Sequence, residues 1–192
     1  MSFITSIKET DTQLFLYLNS KHNAFFDFIM YWASSKFIWI PLYLFFAYLV
    51  YKQVGKRIWL VVLAVLMLIV LSDQISNRGF KNNFKRYRPC QNLTIGSQVH
   101  VNGDCGGMYG FVSSHAANTF ALATFLSLFF YKKINYFGIF IFSWAAFVSY
   151  SRIYNGVHYP ADVSVGALLG MLIGYVIFKW YAKTNSAFKI PQ

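Results

Sequence analysis

The chain has 192 residues and a formal net charge of +11, yet only 12% of its residues are charged, while 57% are hydrophobic and 21% aromatic. The apolar residues come in long runs that a water-soluble core could not hide, and nucleic-acid binding is a poor account of basic charge on so apolar a sequence. The composition points to an all-α, integral membrane helical bundle, its basic excess shared between anionic lipid and an anion-binding site.

In chain order, residues 1–35 come first. Thr12 to Ser34 is apolar at both ends but holds Asn19-Ser20-Lys21-His22-Asn23 in its middle. A charge at mid-bilayer costs about 2.5–3.5 kcal/mol, so this stretch reads as two short interfacial helices joined at the polar break. Residues 36–183 form one membrane-embedded domain, without repeat, low-complexity tract or soluble linker, and 184–192 are a tail. A spanning helix needs about 20 mostly apolar residues. Ile58 to Ser76, Ala116 to Tyr131, Ile134 to Tyr150 and Ala161 to Tyr181 meet or approach that length, and Phe37 to Tyr51 can lengthen into its flanks. About five transmembrane helices are expected. The first twenty residues lack the basic start, apolar centre and small-residue site of a cleavable signal peptide.

Three polar clusters interrupt the apolar runs: Lys81 to Pro89, Ser113-Ser114-His115, and Ser151 to Asp162. With five spans all three fall on one membrane face, while Lys52 to Arg57, Lys132-Lys133 and the C-terminal tail fall on the other. The cluster-free face carries eight Lys and Arg against nine opposite, but six of the nine lie in or beside the clusters. Setting these aside leaves eight against three, which places the clusters outside by the positive-inside rule. Cys90 and Cys105 bracket a loop on that face, where a disulfide can persist. Closing it would contribute about 3 kcal/mol in a chain-entropy treatment. Two unpaired thiols are the alternative, and two cysteines with His100 between them do not make a closed four-ligand zinc site.

Each cluster carries part of one chemistry. Lys81 and Arg88, the latter followed by helix-stopping Pro89, pair a mobile point charge with a planar fork of donors, which suits an oxyanion. A basic collar touching lipid headgroups is the bland reading of the same residues. Ser113 and Ser114 precede a helix whose free amides and positive dipole end attract anions, and His115 in its first turn can donate a proton to a leaving oxygen. An ordinary capping sequence is the alternative there. Pro160 is placed as an early helical residue, which puts Asp162 in the first turn and His158 just before it. From there the carboxylate can hold one imidazole nitrogen and leave the other free to attack. Arg152 supplies a further cation. Together these residues can bind a phosphate and transfer its phosphoryl group.

In order and spacing the clusters closely resemble the type 2 phosphatidic acid phosphatase superfamily, whose motifs read Lys-x6-Arg-Pro, Pro-Ser-Gly-His and Ser-Arg-x5-His-x3-Asp. The first matches at Lys81, Arg88 and Pro89, and the third at Ser151, Arg152, His158 and Asp162. In the second, Ser113 and His115 are retained, while Val112 and Ser114 replace proline and glycine. The resemblance covers about Phe37 to Tyr181. It implies a metal-independent phosphoric ester or acid anhydride hydrolase without cofactor, in which His158 attacks phosphorus and Asp162 holds its ring. Lys81, Arg88, Ser113, Ser114 and Arg152 would bind the phosphoryl group, and His115 would protonate the leaving group.

A site at the ends of spanning helices favours a lipid phosphate partner in the bilayer, with no nucleic acid and no obligatory protein partner. Undecaprenyl diphosphate, phosphatidylglycerol phosphate and a lipid A phosphate are the candidates, with the balance toward a lipid pyrophosphate or lipid A phosphate. The expected location is a bacterial inner membrane, crossed several times, with the site facing the periplasm. A vanadate-dependent haloperoxidase, which would be soluble, and a non-enzymatic lipid-phosphate transporter or scaffold are the rivals.

Overall fold

Helix boundaries follow the punctuation of the sequence in the computed structural model, which describes residues 3–185. Helix α1 (Phe3–Asn19) ends at the polar break, and α2 (Ala24–Ala33) starts from Asn23, whose side chain caps it by accepting from Phe26 N at 3.0 Å. The break falls where the sequence places it, but α1 reaches back to Phe3. Its Phe15 is wholly buried and meets the Tyr159 ring edge-on at 5.3 Å.

Helix α3 (Ile40–Val54) carries Pro41 in its first turn and stops at Gly55, whose φ of 56° L-residues rarely adopt. Helix α4 (Ile58–Gln74) widens into a π-helical turn over Ile75–Lys81 and closes with the single turn α5 (Asn82–Phe84), ended by left-handed Lys85. After a long loop come α6 (Ser114–Phe129), α7 (Phe137–Tyr154) and α8 (Pro160–Thr184). No strand forms among the described residues; a lone bridge pairs Tyr87 with Tyr109.

Among the described residues, three helical stretches are long and apolar enough to cross a membrane: Phe37–Phe84, Phe137–Tyr154 and Pro160–Thr184. The first contains both α3 and α4, which the sequence reads as separate spans. Helix α6, with sixteen residues, is shorter than these. Outward faces of α3 and α4 leave Leu44, Tyr48, Leu66 and Val70 more than half exposed. Such a belt suits lipid and is unusual toward water.

The core centres on α6. Phe125, Phe129, Phe137, Trp144 and Tyr181 pack there with Leu68 and Ile141. Its tightest seam is with α8, where Gly166, Gly170 and Gly174 recur every fourth residue. A Cβ on them would lie 2.7 Å from Ser113 O, 2.2 Å from Ala117 O and 2.4 Å from Ala121 O. Small residues at this spacing let two helix backbones touch. The contact aligns the N-termini of α6 and α8, and Ser113 N donates to Asp162 O at 3.0 Å across it.

Candidate active site

Lys81 ends the π-helical turn. Such turns re-aim the residues that follow and are frequent at functional sites. Here Lys81 Nζ reaches across to α6, donating to Ser114 Oγ at 2.9 Å and to Asn77 Oδ1 at 2.8 Å. Arg88 is held by the loop that folds back over it, donating through Nη1 to Cys105 O at 2.9 Å and through Nε to Tyr109 O at 3.3 Å. Cys90 and Cys105 form a disulfide with Cα atoms 6.2 Å apart, fixing the segment that supplies the first of these acceptors. Burial pulls the Arg88 pKa down from the usual arginine range, with Asp162 and Asp104 acting in the opposite direction.

The two serines of the second cluster divide their work. Ser113 is wholly buried, and its Oγ accepts from Ala116 N at 3.5 Å as the cap of α6. Ser114 is the one that meets a cation. Arg152, in the last turn of α7, donates through Nη1 to Ser34 Oγ at the end of α2, while its Nε is buried without a partner. The chain then turns sharply through Gly156 (φ 77°), where a Cβ would come within 2.6 Å of His100 O, and delivers His158 to the mouth of α8.

His158 is 1% exposed and Asp162 0%. Nδ1 of His158 lies 3.5 Å from Asp162 Oδ2, longer than a hydrogen bond, and has no other side-chain partner. Gly110 packs over both groups, and its backbone favours the charged ring slightly. Burial dominates, however. Together with the charges of Arg88, Arg152 and Lys81 it holds the His158 pKa well below the usual 6.5, so the ring is neutral at physiological pH. A neutral imidazole keeps the lone pair that a nucleophile needs.

Two residues that the sequence reading left out of the site act together here: Arg86 holds Asp162, and Asp11 holds Arg86. Arg86 donates to Asp162 Oδ1 at 2.7 Å and to Asp11 Oδ2 at 2.6 Å, while its guanidinium lies 3.9 Å over the Tyr159 ring. Asp162 Oδ2 accepts from Tyr159 N at 3.0 Å, and Asp11 Oδ1 from Ala161 N at 2.9 Å. Arg86 was visible only as one basic residue among several. Asp11 had no local signal, because its partners lie 75 and 150 residues away.

A polar cavity of about 310 Å³ opens beside Arg152 and His115, lined also by Ser34, Lys36, Asn102 and Asp104. Elsewhere, His22, Asp27 and His100 bring their ligand atoms within 4.8 Å of one another. The two imidazoles, though, stack 3.7 Å apart with 2° between their planes, so their lone pairs run parallel and do not converge on one ion. Asp27 Oδ1 is already engaged, by Tyr154 at 2.7 Å and His100 at 2.9 Å. The trio ties the α1–α2 link to the loop and α7.

The bundle brings two histidines, a buried carboxylate and three cations near one another, a set suited to a phosphate ester, and its relatives are hydrolases of that class. Residues 59–186 match the family model of the PAP2 superfamily, and the chain belongs to that family. It is 37% identical to a lipid A 4'-phosphatase of Bacteroides thetaiotaomicron, over 98% of this chain and 86% of that one. A lipid A 4'-phosphatase of Porphyromonas gingivalis is 36% identical, over 94% and 76%. Among solved structures, Aquifex aeolicus LpxE superposes with a TM-score of 0.64 at 25% identity, covering 88% of this chain and 94% of that one. The transmembrane PAP2-type phosphatidylglycerolphosphate phosphatase of Bacillus subtilis superposes at 0.74 and 17% identity, over 94% and 88%, a likeness of fold.

Proposed function

We propose that this protein removes a phosphate from a membrane lipid through a phosphohistidine on His158, and that its substrate is a lipid A-type saccharolipid phosphate. Nδ1 of His158 faces Asp162, which leaves Nε2 to attack phosphorus as the bond from phosphorus to the lipid oxygen breaks. Burial and the charge of Arg152 lower the His115 pKa, the negative charge of the bound phosphate raises it again, and the protonated ring delivers its proton to that oxygen. A water then attacks the phosphohistidine, gives a proton back to His115, and releases inorganic phosphate and free His158. Lys81, Arg88 and Arg152, with the N-terminus of α6, bind the equatorial oxygens on which charge builds. These cations supply the stabilisation without a metal.

The observation that carries this reading is the buried, neutral His158 set between Asp162 and the three cations. The choice of substrate rests on the two lipid A 4'-phosphatase relatives, which match nearly the whole chain. The protein would sit in a bacterial inner membrane, crossing it several times, with the site on the outer face beside the disulfide.

Purified protein should release phosphate from lipid A phosphate faster than from undecaprenyl diphosphate or phosphatidylglycerol phosphate. Acid-labile, base-stable label should appear on the protein when turnover of a radiolabelled substrate is quenched. Release from none of the three lipids would exclude the enzymatic reading, and a different ranking would move the substrate.

A further inference from the structure

Beneath His115 a second cavity, of about 340 Å³, runs down between α3, α4 and α6. It shares Ser34, Ser35, Lys36 and His115 with the polar cavity above, so the imidazole stands where the two meet. Lower down it shares Tyr43, Val65 and Leu122 with an apolar cavity of about 200 Å³ that continues along Phe46, Val50 and Leu126. The path leads from the phosphate site into the hydrocarbon layer.

The middle cavity is not uniformly apolar. Asp73 of α4 lines it, half-buried and without an ion pair or hydrogen bond from its carboxylate among the described residues. Asn118, one turn below His115 on α6, also lines it, and its Oδ1 is buried without a partner. Eight residues separate Asp73 from Lys81, which puts it on the order of 10 Å deeper than the phosphate cation. A carboxylate and an amide at that depth are costly in a wall meant only for hydrocarbon, and polar groups inside a membrane bundle mark substrate paths.

We infer that Asp73 and Asn118 form a subsite for the polar linkage of an acyl chain that carries a hydrogen-bond donor, namely an amide N–H or a chain hydroxyl. The inference rests on the lipid phosphatase reading and narrows its substrate class. A carboxylate needs a donor. A polyprenyl chain offers neither donor nor acceptor, and a glycerol diester offers only carbonyl oxygens, which Asp73 repels. An amide-linked or hydroxylated acyl chain offers its N–H or O–H to the Asp73 carboxylate and to Asn118 Oδ1, both of which are acceptors. The remaining hydrocarbon then follows the apolar cavity.

The test compares kcat/KM on a glucosamine lipid phosphate bearing amide-linked hydroxyacyl chains with kcat/KM on diacylglycerol phosphate, for wild type, Asp73→Leu, Asp73→Asn and Asn118→Leu. Hydrogen bonds to a charged group are worth a factor of about ten to a hundred. The ratio of the two values should fall by that factor in Asp73→Leu and less in Asp73→Asn. Asn118→Leu, which leaves the carboxylate in place, should move the ratio in the same direction if Asp73→Leu does not fold. Equal loss on both lipids in every folded variant would overturn the subsite and make Asp73 a partner of Lys81. An unchanged ratio would overturn it too. Wild-type protein that hydrolyses both lipids without preference defeats only this inference, whereas wild-type protein that hydrolyses no lipid phosphate defeats the reading beneath it.

Discussion

Arg86 donates to Asp162 at 2.7 Å, a closer contact than the 3.5 Å between Asp162 and His158. The carboxylate beside His158 is therefore itself oriented, from one side by Arg86 and from the other by the backbone at the mouth of α8. The same guanidinium binds Asp11, which ties α1 to the site.

Arg86→Met should lower kcat by about ten- to a hundredfold, the usual effect of losing a partner that orients a site residue, with a smaller change in KM. It should also lower the melting temperature, because removing one partner of a buried ion pair costs about 3–5 kcal/mol. Partial exposure of Arg86 puts the expectation at the lower end of that range. Arg86→Lys should recover much of the stability but little of the turnover, since an ammonium lacks the fork that spans two carboxylates. Wild-type turnover in Arg86→Met would show that Arg86 is structural alone.

The pH dependence follows from His158. Its pKa is depressed, chiefly by burial and then by Arg88, Arg152 and Lys81. The reactive neutral form therefore persists as pH falls past 6.5 and is lost only lower down. In kcat/KM against pH, the acid limb should lie well below the ordinary histidine value. Stability carries the same sign. Below 6.5 the unfolded chain binds a proton on this ring while the folded chain does not, so folding stability falls with falling pH. An acid limb centred on 6.5 would contradict the neutral, buried state.

The two histidines separate by leaving group. His158→Ala should abolish turnover of every substrate, because no covalent intermediate forms. His115→Ala should be less uniform, since protonation matters most for a poor alkoxide leaving group. It should retain more activity on an aryl phosphate or a pyrophosphate than on a lipid monoester. Near-normal turnover in His158→Ala, or uniform loss in His115→Ala, would reverse the assignment.

Which of the site residues lie near one another could be read from the chain where short-range spacing sets it. Four residues from His158 to Asp162 bring both to the mouth of one helix, and Lys81 and Arg88 lie on one connection beside a helix end. The residues that sequence reasoning passed over act at long range. Ser34 meets Arg152 across 118 positions and Arg86 meets Asp11 across 75, distances over which a single sequence carries no pairing signal. The π-helical turn that aims Lys81 likewise has no local rule to announce it. The expected ring-holding contact from Asp162 is present as proximity, but spacing alone could not show that Arg86 and Tyr159 N occupy its oxygens. The glycine seam between α8 and α6 went unread, because spacing alone does not name the backbone it touches.

Gly170 tests whether that seam sets the site as well as the fold. A Cβ there would lie 2.2 Å from Ala117 O, and since the obstacle is backbone, α6 and α8 must separate to admit it. Overpacking of this kind costs about 1–3 kcal/mol or more. Gly170 lies roughly 12 Å along α8 from Asp162, too far to touch substrate. The seam nonetheless carries the bond from Ser113 N to Asp162 O that aligns the two helix mouths. Gly170→Ala should therefore lower the melting temperature and also reduce kcat, and Gly170→Leu should do both more severely. Gly107→Ala, in the disulfide loop, has nothing within 4 Å of its added methyl and serves as the control. A melting temperature that falls in Gly170→Ala while kcat stays at the wild-type value would show that the seam holds the bundle without setting the geometry of the site.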